Sequence, residues 1–183
     1  NIQVVFQGGG ARFGALLAVA EALQMWEAAG ELKVTRVAGA SAGAIVAAIY
    51  GKRIPIAEVK LALARRGDGF FVKAFPPRWK ISHVLRAARG RSLYDLERLR
   101  PLLDEFFGPE SPRYEHQIPV LIATADMAIG AKRTLKFDSI DPSIIGAILH
   151  SCSIPFVFRN VDALNSSSDK YLDGGICENL PSE

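Results

Sequence analysis

The sequence has few residues of the kinds that would staple a chain or anchor it in a bilayer. Only two of its 183 residues are cysteine, Cys152 and Cys177. A chain of this length can bury a core without a disulfide, so we expect both thiols to be reduced. No apolar run reaches the ~18–20 residues of a membrane span, and the opening NIQVVFQ lacks the basic start of a signal peptide. These absences exclude a disulfide scaffold and a membrane span within these 183 residues, and they predict a cytoplasmic domain, an expectation that segments outside this sequence could overrule.

The chain also lacks internal repeats and long low-complexity tracts. With 49% hydrophobic and 22% charged residues, its composition is that of one globular domain. We therefore predict a single domain over residues 1–183, and we expect it to be a piece of a longer protein because it begins without Met. The net charge of +3 is too small to indicate a nucleic-acid partner. Cations are concentrated between Lys52 and Arg100, which predicts one basic face.

Two kinds of apolar segment alternate along the chain. Short runs bounded by glycine or polar residues predict strands, and longer periodic runs predict helices. The predicted strands are IQVVF, KVTRVAG, IPVLIATAD, KRTLKF and KYL, and the predicted helices are 15–28, 42–50, 56–66, 93–107 and 141–153, the last capped by Asp141. This order predicts an α/β protein, a three-layer α/β/α sandwich with a mostly parallel central sheet.

A serine lies between two glycines where one predicted strand meets a helix. The stretch Gly39-Ala40-Ser41-Ala42-Gly43 fits the pattern G-x-S-x-G, in which glycines leave room for a strained turn that exposes the serine hydroxyl. The start of the following helix favours the negative charge that develops during acyl transfer. Small residues also occur wherever a helix packs closely on a sheet. Alone, the pattern therefore fits either a nucleophile or a structural turn.

A second glycine-rich stretch, Gly8-Gly9-Gly10, follows the first predicted strand. Its backbone amides can point into a cavity at the carboxyl edge of the sheet, where they would stabilise an oxyanion. A phosphate-binding P-loop requires a Gly-Lys-Ser/Thr ending that is absent here. A dinucleotide site requires a third glycine where Phe13 stands and an acidic residue where Gly39 stands. Both nucleotide-binding interpretations therefore fail.

A serine nucleophile needs a base to accept its proton. The three histidines, His83, His116 and His150, do not lie on a loop after the last strand, as the order Ser, Asp, His of α/β-hydrolases requires, and surface or helix-end roles are favoured for them. Asp173-Gly174-Gly175 does lie late in the chain, directly after a predicted strand. Its carboxylate would sit at a strand end whose backbone admits a close neighbour, although such a triplet is more often a turn.

Four blocks in this order resemble those of a patatin-like phospholipase domain. They are GGGAR (8–12), GASAG (39–43), SCSIPFVFRNV (151–161) and YLDGGICENLP (171–181), and the resemblance covers nearly the whole chain. It implies a Ser–Asp dyad that lacks histidine and acts without metal or organic cofactor on phospholipid esters, releasing a free fatty acid and a lysophospholipid. The implied residues are Ser41 as nucleophile, Asp173 as proton acceptor, the amides of Gly8, Gly9, Gly10, Ala11 and Arg12 as the oxyanion hole, and the motif glycines Gly39, Gly43, Gly174 and Gly175.

One residue departs from the pattern of this family. Phe13 stands where the first motif usually has its last glycine. The expected oxyanion amides precede it, so we expect activity to be retained, with the ring either narrowing the acyl pocket or altering the start of the helix. Arg12 is the nearest cation, and two roles remain open for it: orienting a phosphate or the loop, or standing in solvent.

Residues 67–91 interleave aromatic and basic side chains. We interpret this segment either as a lid or membrane-docking surface or as ordinary packing with a solvated basic face. The first interpretation predicts a cytoplasmic enzyme peripheral to membranes. Because a phospholipase inside a cell threatens its own membranes, we also expect restraint by a regulatory domain, a partner or a ligand. Three other functions stay open: an acyltransferase, a carboxylesterase acting on soluble esters, and a lipid-binding module without catalysis.

Overall fold

The computed structural model describes residues 1–67, 94–126, 130–138, 140–154, 157–159 and 171–177. Its main sheet has five strands: β1 (Ile2–Phe6), β2 (Val34–Ala40), β4 (Val120–Asp126), β5 (Ala131–Phe137) and β7 (Tyr171–Asp173). Strands β1, β2 and β4 are parallel neighbours, whereas β5 and β7 both run antiparallel to β4. Two short strands, β3 (Tyr94–Asp95) and β6 (Phe158–Arg159), form a separate parallel pair. The predicted α/β class is confirmed, with a sheet that is parallel at its centre and mixed at one side.

The helices are α1 (Phe13–Ala28), α2 (Ala42–Gly51), α3 (Ile56–Arg65), α4 (Arg100–Phe107) and α5 (Ile144–Ser151). Helix α2 consists of small and branched apolar residues and Tyr50, and all of them are buried. It packs on β1, β2 and β4 and against α1, so it lies at the centre of the core. Short 3-10 turns cover Gly10–Arg12, Leu96–Leu99 and Gly174–Ile176. None of the described helices is long and apolar enough to cross a membrane.

Two helix predictions were wrong at their first turns. The predicted helix 93–107 contains β3, a 3-10 turn and only then α4, because Pro101 fits the first turn of a helix and not its interior. Helix α5 begins at Ile144 instead of Asp141, since the Asp141 carboxylate accepts the Ser143 amide (2.8 Å) in a tight turn. All but the first residue of the segment 67–91, together with His83, lies outside the described residues.

Two chain segments meet end to end along one edge of β4. Strand β5 occupies the other edge along the full length of β4. On the shared edge, β2 pairs with β4 as far as Ala40 opposite Ala123, and β7 pairs from the opposite direction as far as Asp173 opposite Thr124. Both segments leave the sheet at this point, β2 at Ser41 and β7 after Asp173. The topology therefore brings together two residues that are far apart in the sequence.

Candidate active site

Ser41 occupies a sharp turn between β2 and α2. Its backbone torsions, φ 52° and ψ −126°, are disfavoured for a residue with a side chain and cost on the order of 1–3 kcal/mol. The two flanking glycines make the turn possible. A Cβ atom at Gly39 would lie 2.3 Å from the Gly43 carbonyl oxygen, and one at Gly43 would lie 2.2 Å from the Phe6 carbonyl oxygen. The G-x-S-x-G pattern therefore reflects backbone contacts among β2, α2 and the end of β1.

Asp173 reaches the same point from the opposite side. Its amide donates to the Ser153 carbonyl (3.0 Å), and the Gly175 amide donates to its Oδ1 (2.7 Å). A Cβ atom at Gly174 would lie 2.1 Å from the Ala123 carbonyl oxygen, so the chain turns off β4 only because this residue has no side chain. Asp173 is 4% exposed and Ser41 is 8% exposed. Both side chains are therefore largely removed from water.

The carboxylate of Asp173 is incompletely satisfied. Its buried Oδ2 has no hydrogen-bond partner of standard geometry among the described residues. Burial raises the pKa of Asp173, and the neighbouring Ser41 hydroxyl and the Gly175 amide offset that effect only in part. A carboxylate with a raised pKa, beside a serine hydroxyl, is a better proton acceptor than an ordinary solvated aspartate.

A cavity of about 260 Å³ opens between the two residues and the glycine loop. It is lined by Gly8, Gly9, Gly10, Ser41, Ile154, Asp173, Gly175 and Ile176. Ile154 and Ile176 are exposed and give the opening an apolar rim. The cavity thus combines a serine, a carboxylate, loop amides and apolar surface, which is a combination suited to an ester with a hydrocarbon chain.

One hydrogen bond reduces the number of amides that the predicted oxyanion loop can offer to a ligand. The Arg12 amide donates to the Gly9 carbonyl (2.8 Å) within the 3-10 turn, so it is not available to a ligand. No such bond from the Gly9 amide, which precedes the 3-10 turn, is found in the part of the chain described. The Arg12 side chain is exposed and runs beside Gly9. Gly8, Gly9 and Gly10 remain the candidate donors that line the cavity.

The segment Ser151-Cys152-Ser153 contacts both candidate residues, a role that no local sequence pattern predicted. The Ser41 amide donates to Ser151 Oγ (2.8 Å), and Ser151 Oγ donates to the Ala123 carbonyl (2.7 Å). Cys152 is buried beside the site. Its burial and the nearby Asp173 charge raise the pKa of the thiol, and the Ser41 hydroxyl offsets this in part. Cys152 is therefore an unreactive thiol, in contrast to a nucleophilic cysteine.

Other predicted features fall away from the cavity. His116 is an exposed surface residue next to Glu115, and His150 lies in the last turn of α5; no histidine lines the cavity among the residues described. Phe13 is buried in the core at the first residue of α1 and does not line the cavity described here. Cys152 and Cys177 are both free, the first buried and the second exposed.

Within the described residues, no group of three or more His, Cys, Asp or Glu side chains is arranged to hold a metal ion. The arrangement is that of an α/β protein with a serine at a strained strand-to-helix turn facing a buried carboxylate. Residues 4–183 match the family described as Patatin-like phospholipase. The chain belongs to this family.

The fold is also similar to that of a solved structure. The crystal structure of VipD from Legionella pneumophila aligns with 99% of this chain at a TM-score of 0.52 and 16% sequence identity. The present chain spans 47% of that chain, about half its length. At this identity the likeness establishes the fold alone. A search of curated proteins found no match.

Proposed function

We propose that this protein is a phospholipase A-type hydrolase that uses Ser41 and Asp173 as a two-residue catalytic dyad. The observation that carries the proposal is the meeting of β2 and β7 on one edge of β4, with a strained serine beside a buried carboxylate whose Oδ2 has no partner of standard geometry among the described residues. The family membership supports a lipid ester as substrate.

The first half of the reaction forms an acyl-enzyme. Asp173 accepts the Ser41 hydroxyl proton as Ser41 Oγ attacks the ester carbonyl carbon, and the amides of the glycine loop stabilise the resulting oxyanion. Collapse of the tetrahedral intermediate breaks the bond between the acyl carbon and the glycerol oxygen. Asp173 returns its proton to that oxygen, so a lysophospholipid leaves with its hydroxyl restored.

The second half releases the fatty acid. A water molecule attacks the acyl carbon while Asp173 accepts one of its protons. The bond from the carbonyl carbon to Ser41 Oγ breaks, and the proton passes to Ser41. The products are a free fatty acid and the regenerated enzyme. The apolar rim of Ile154 and Ile176 is suited to the hydrocarbon part of such a substrate.

The substrate lies in a bilayer, so we further propose a protein that binds membranes peripherally from the cytoplasm. The predicted docking segment 67–91 lies almost wholly outside the described residues and lends no structural support. A comparison of vesicles with short soluble esters therefore decides this part of the proposal. Faster turnover of soluble esters than of vesicles would favour a general carboxylesterase.

The test is release of free fatty acid from mixed phospholipid vesicles by the wild-type protein and by Ser41→Ala. We expect activity to fall by roughly 10³-fold or more in the variant, because the nucleophile is absent. Ser143→Ala is the matched control, since this exposed serine donates to Asp141 within its own turn. Circular dichroism verifies folding. Hydrolysis by Ser41→Ala at the wild-type rate would refute the proposed nucleophile.

A further inference from the structure

Ser151 connects the turn of the candidate nucleophile to the central strand. It is the last residue of α5 and is fully buried. Its hydroxyl lies between the Ser41 amide (2.8 Å) and the Ala123 carbonyl (2.7 Å). Ser41 and Ser151 are 110 residues apart in the sequence. The hydroxyl is therefore a long-range tie between the turn and β4.

The direction of both hydrogen bonds is fixed by chemistry. A backbone carbonyl can only accept and a backbone amide can only donate, whereas a serine hydroxyl does both. The Ser151 proton must therefore point to Ala123, which leaves an oxygen lone pair for the Ser41 amide. No alternative hydroxyl orientation satisfies both groups, so the tie has one geometry.

This tie acts on a residue whose backbone is strained. Disfavoured torsions persist only where the surroundings hold them. The Ser41 carbonyl accepts the Ala44 amide (2.9 Å) from the first turn of α2, and the Ser41 amide is held by Ser151. Both hydrogen-bonding groups of the strained residue are thus occupied. Ala123, whose carbonyl accepts the hydrogen bond from Ser151, is adjacent on β4 to Thr124, the residue that pairs with Asp173.

We infer that Ser151 is a positioning residue: its hydroxyl holds the Ser41 backbone so that Oγ faces Asp173. This inference rests on the proposed function. Ser151 does not line the cavity and acts only through Ser41. A second consequence concerns the oxyanion hole. Because the Ser41 amide already donates to Ser151, it cannot donate to an oxyanion, and that task falls to other amides, for which the glycine loop supplies the candidates.

The chain offers a matched control in Ser111. Its hydroxyl also accepts a hydrogen bond from a nitrogen, Lys52 Nζ (2.6 Å), and also donates to a backbone carbonyl, that of Gly108 (2.7 Å). Lys52 immediately follows α2 at the end opposite Ser41. Ser111→Ala therefore removes one accepted and one donated hydrogen bond, as Ser151→Ala does, but at the end of α2 away from the candidate nucleophile.

The experiment measures covalent labelling of Ser41 by an alkyl fluorophosphonate, together with kcat and KM on a soluble ester and the melting temperature. In labelling, Ser41 Oγ forms a bond to phosphorus, the phosphorus–fluorine bond breaks and fluoride leaves, while Asp173 accepts the hydroxyl proton. We expect Ser151→Ala to lower both kcat and the labelling rate by about 10- to 100-fold, because a displacement of the nucleophile by about 1 Å has an effect of that order. We expect KM to change little, and we expect Ser111→Ala to reduce the melting temperature without slowing labelling.

Ser151→Cys separates positioning from folding. Its thiol leaves no cavity, although sulfur is larger than oxygen, and it is a weaker acceptor and donor, so we expect a labelling rate between those of wild type and Ser151→Ala. If Ser151→Ala does not fold, Ser151→Cys decides alone, and a wild-type rate in it would overturn the inference. Equal slowing in Ser151→Ala and Ser111→Ala would also overturn it. Failure to label wild-type Ser41 would instead overturn the proposed function and this inference with it.

Discussion

Helix α2 has a buried or half-buried carboxylate near each end, and the two differ in how their oxygens are bonded. Near its first residue, Asp173 has one oxygen without a partner of standard geometry. Beyond its last turn, both oxygens of Glu27 are bonded: Val34 donates its amide (2.7 Å), Tyr50 its hydroxyl (2.5 Å) and Arg53 its guanidinium (2.5 Å). The Asp173 carboxylate is therefore incompletely hydrogen-bonded, whereas both oxygens of the Glu27 carboxylate have partners.

The pKa shifts of the two carboxylates follow this difference. Burial raises the pKa of Asp173, and its few hydrogen bonds do not compensate. Burial also acts to raise the pKa of Glu27, but the bonds from Arg53, Tyr50 and the Val34 amide outweigh it, so that pKa is lowered. A poorly satisfied carboxylate is suited to accept a proton, whereas a well satisfied one is suited to hold structure.

Backbone strain alone does not distinguish the two ends. Ser41 has φ 52° at one end, and Arg53 has φ 65° at the other. What sets the Ser41 end apart is the combination of strain, a cavity and an unsatisfied carboxylate. Departures from local rules identify a functional site best when several of them coincide.

The largest effect is expected for Asp173→Asn. The amide cannot accept the Ser41 proton, so we expect kcat to fall by roughly 10²- to 10⁴-fold. We expect stability to remain equal or to rise, because a buried charge becomes neutral. Measurements are fatty-acid release from vesicles and urea unfolding. Full activity in a folded Asp173→Asn protein would show that the base lies elsewhere. The contrast between a functional Asp173 and a structural Glu27 would then fail.

The opposite result is expected for Glu27→Gln. It leaves the Arg53 guanidinium without its carboxylate, and we expect the free energy of unfolding to fall by roughly 1–3 kcal/mol. Activity of the folded protein should stay within about twofold of wild type, because this end of α2 lies far from the cavity. Glu21→Gln is the matched control, because Glu21 lies on α1 as Glu27 does. Its ion pair with Lys60 is exposed and should contribute about 0–1 kcal/mol. Equal destabilisation by both variants would contradict the special role of Glu27.

How far the sequence predicts these features depends on how local they are. The turn at Ser41 was predictable because its glycines, strand and helix are consecutive, and Asp173 stood out as an acid before two glycines. The contact of Ser151 with Ser41 was not predictable, since it depends on how distant segments pack. The start of α4 was set by Pro101, a local signal that the apolar periodicity outweighed in the prediction.

The smallest expected effect is on the order in which activity and stability are lost as pH falls, and it tests the difference between Asp173 and Glu27. Asp173 must be deprotonated to act, and its raised pKa means that activity declines at a pH above the ordinary aspartate value of about 3.9. Protonation of Asp173 also favours the folded state, because that state binds the proton more tightly than the unfolded chain does. Glu27 has the opposite sign. Its stabilisation is present above the unfolded glutamate pKa and is lost only as pH falls through its lowered folded pKa.

We therefore expect kcat/KM to fall before the protein unfolds as pH is lowered. The measurement pairs the pH profile of soluble-ester hydrolysis with urea midpoints over the same range. In Glu27→Gln the acid limb of kcat/KM should stay in place, while the Glu27 contribution to the acid-induced loss of stability disappears. In Asp173→Asn the stabilisation that accompanies Asp173 protonation should be absent. If activity and folding are instead lost at one pH in the wild type, Asp173 does not titrate separately from the fold, and the distinction between the two ends of α2 fails.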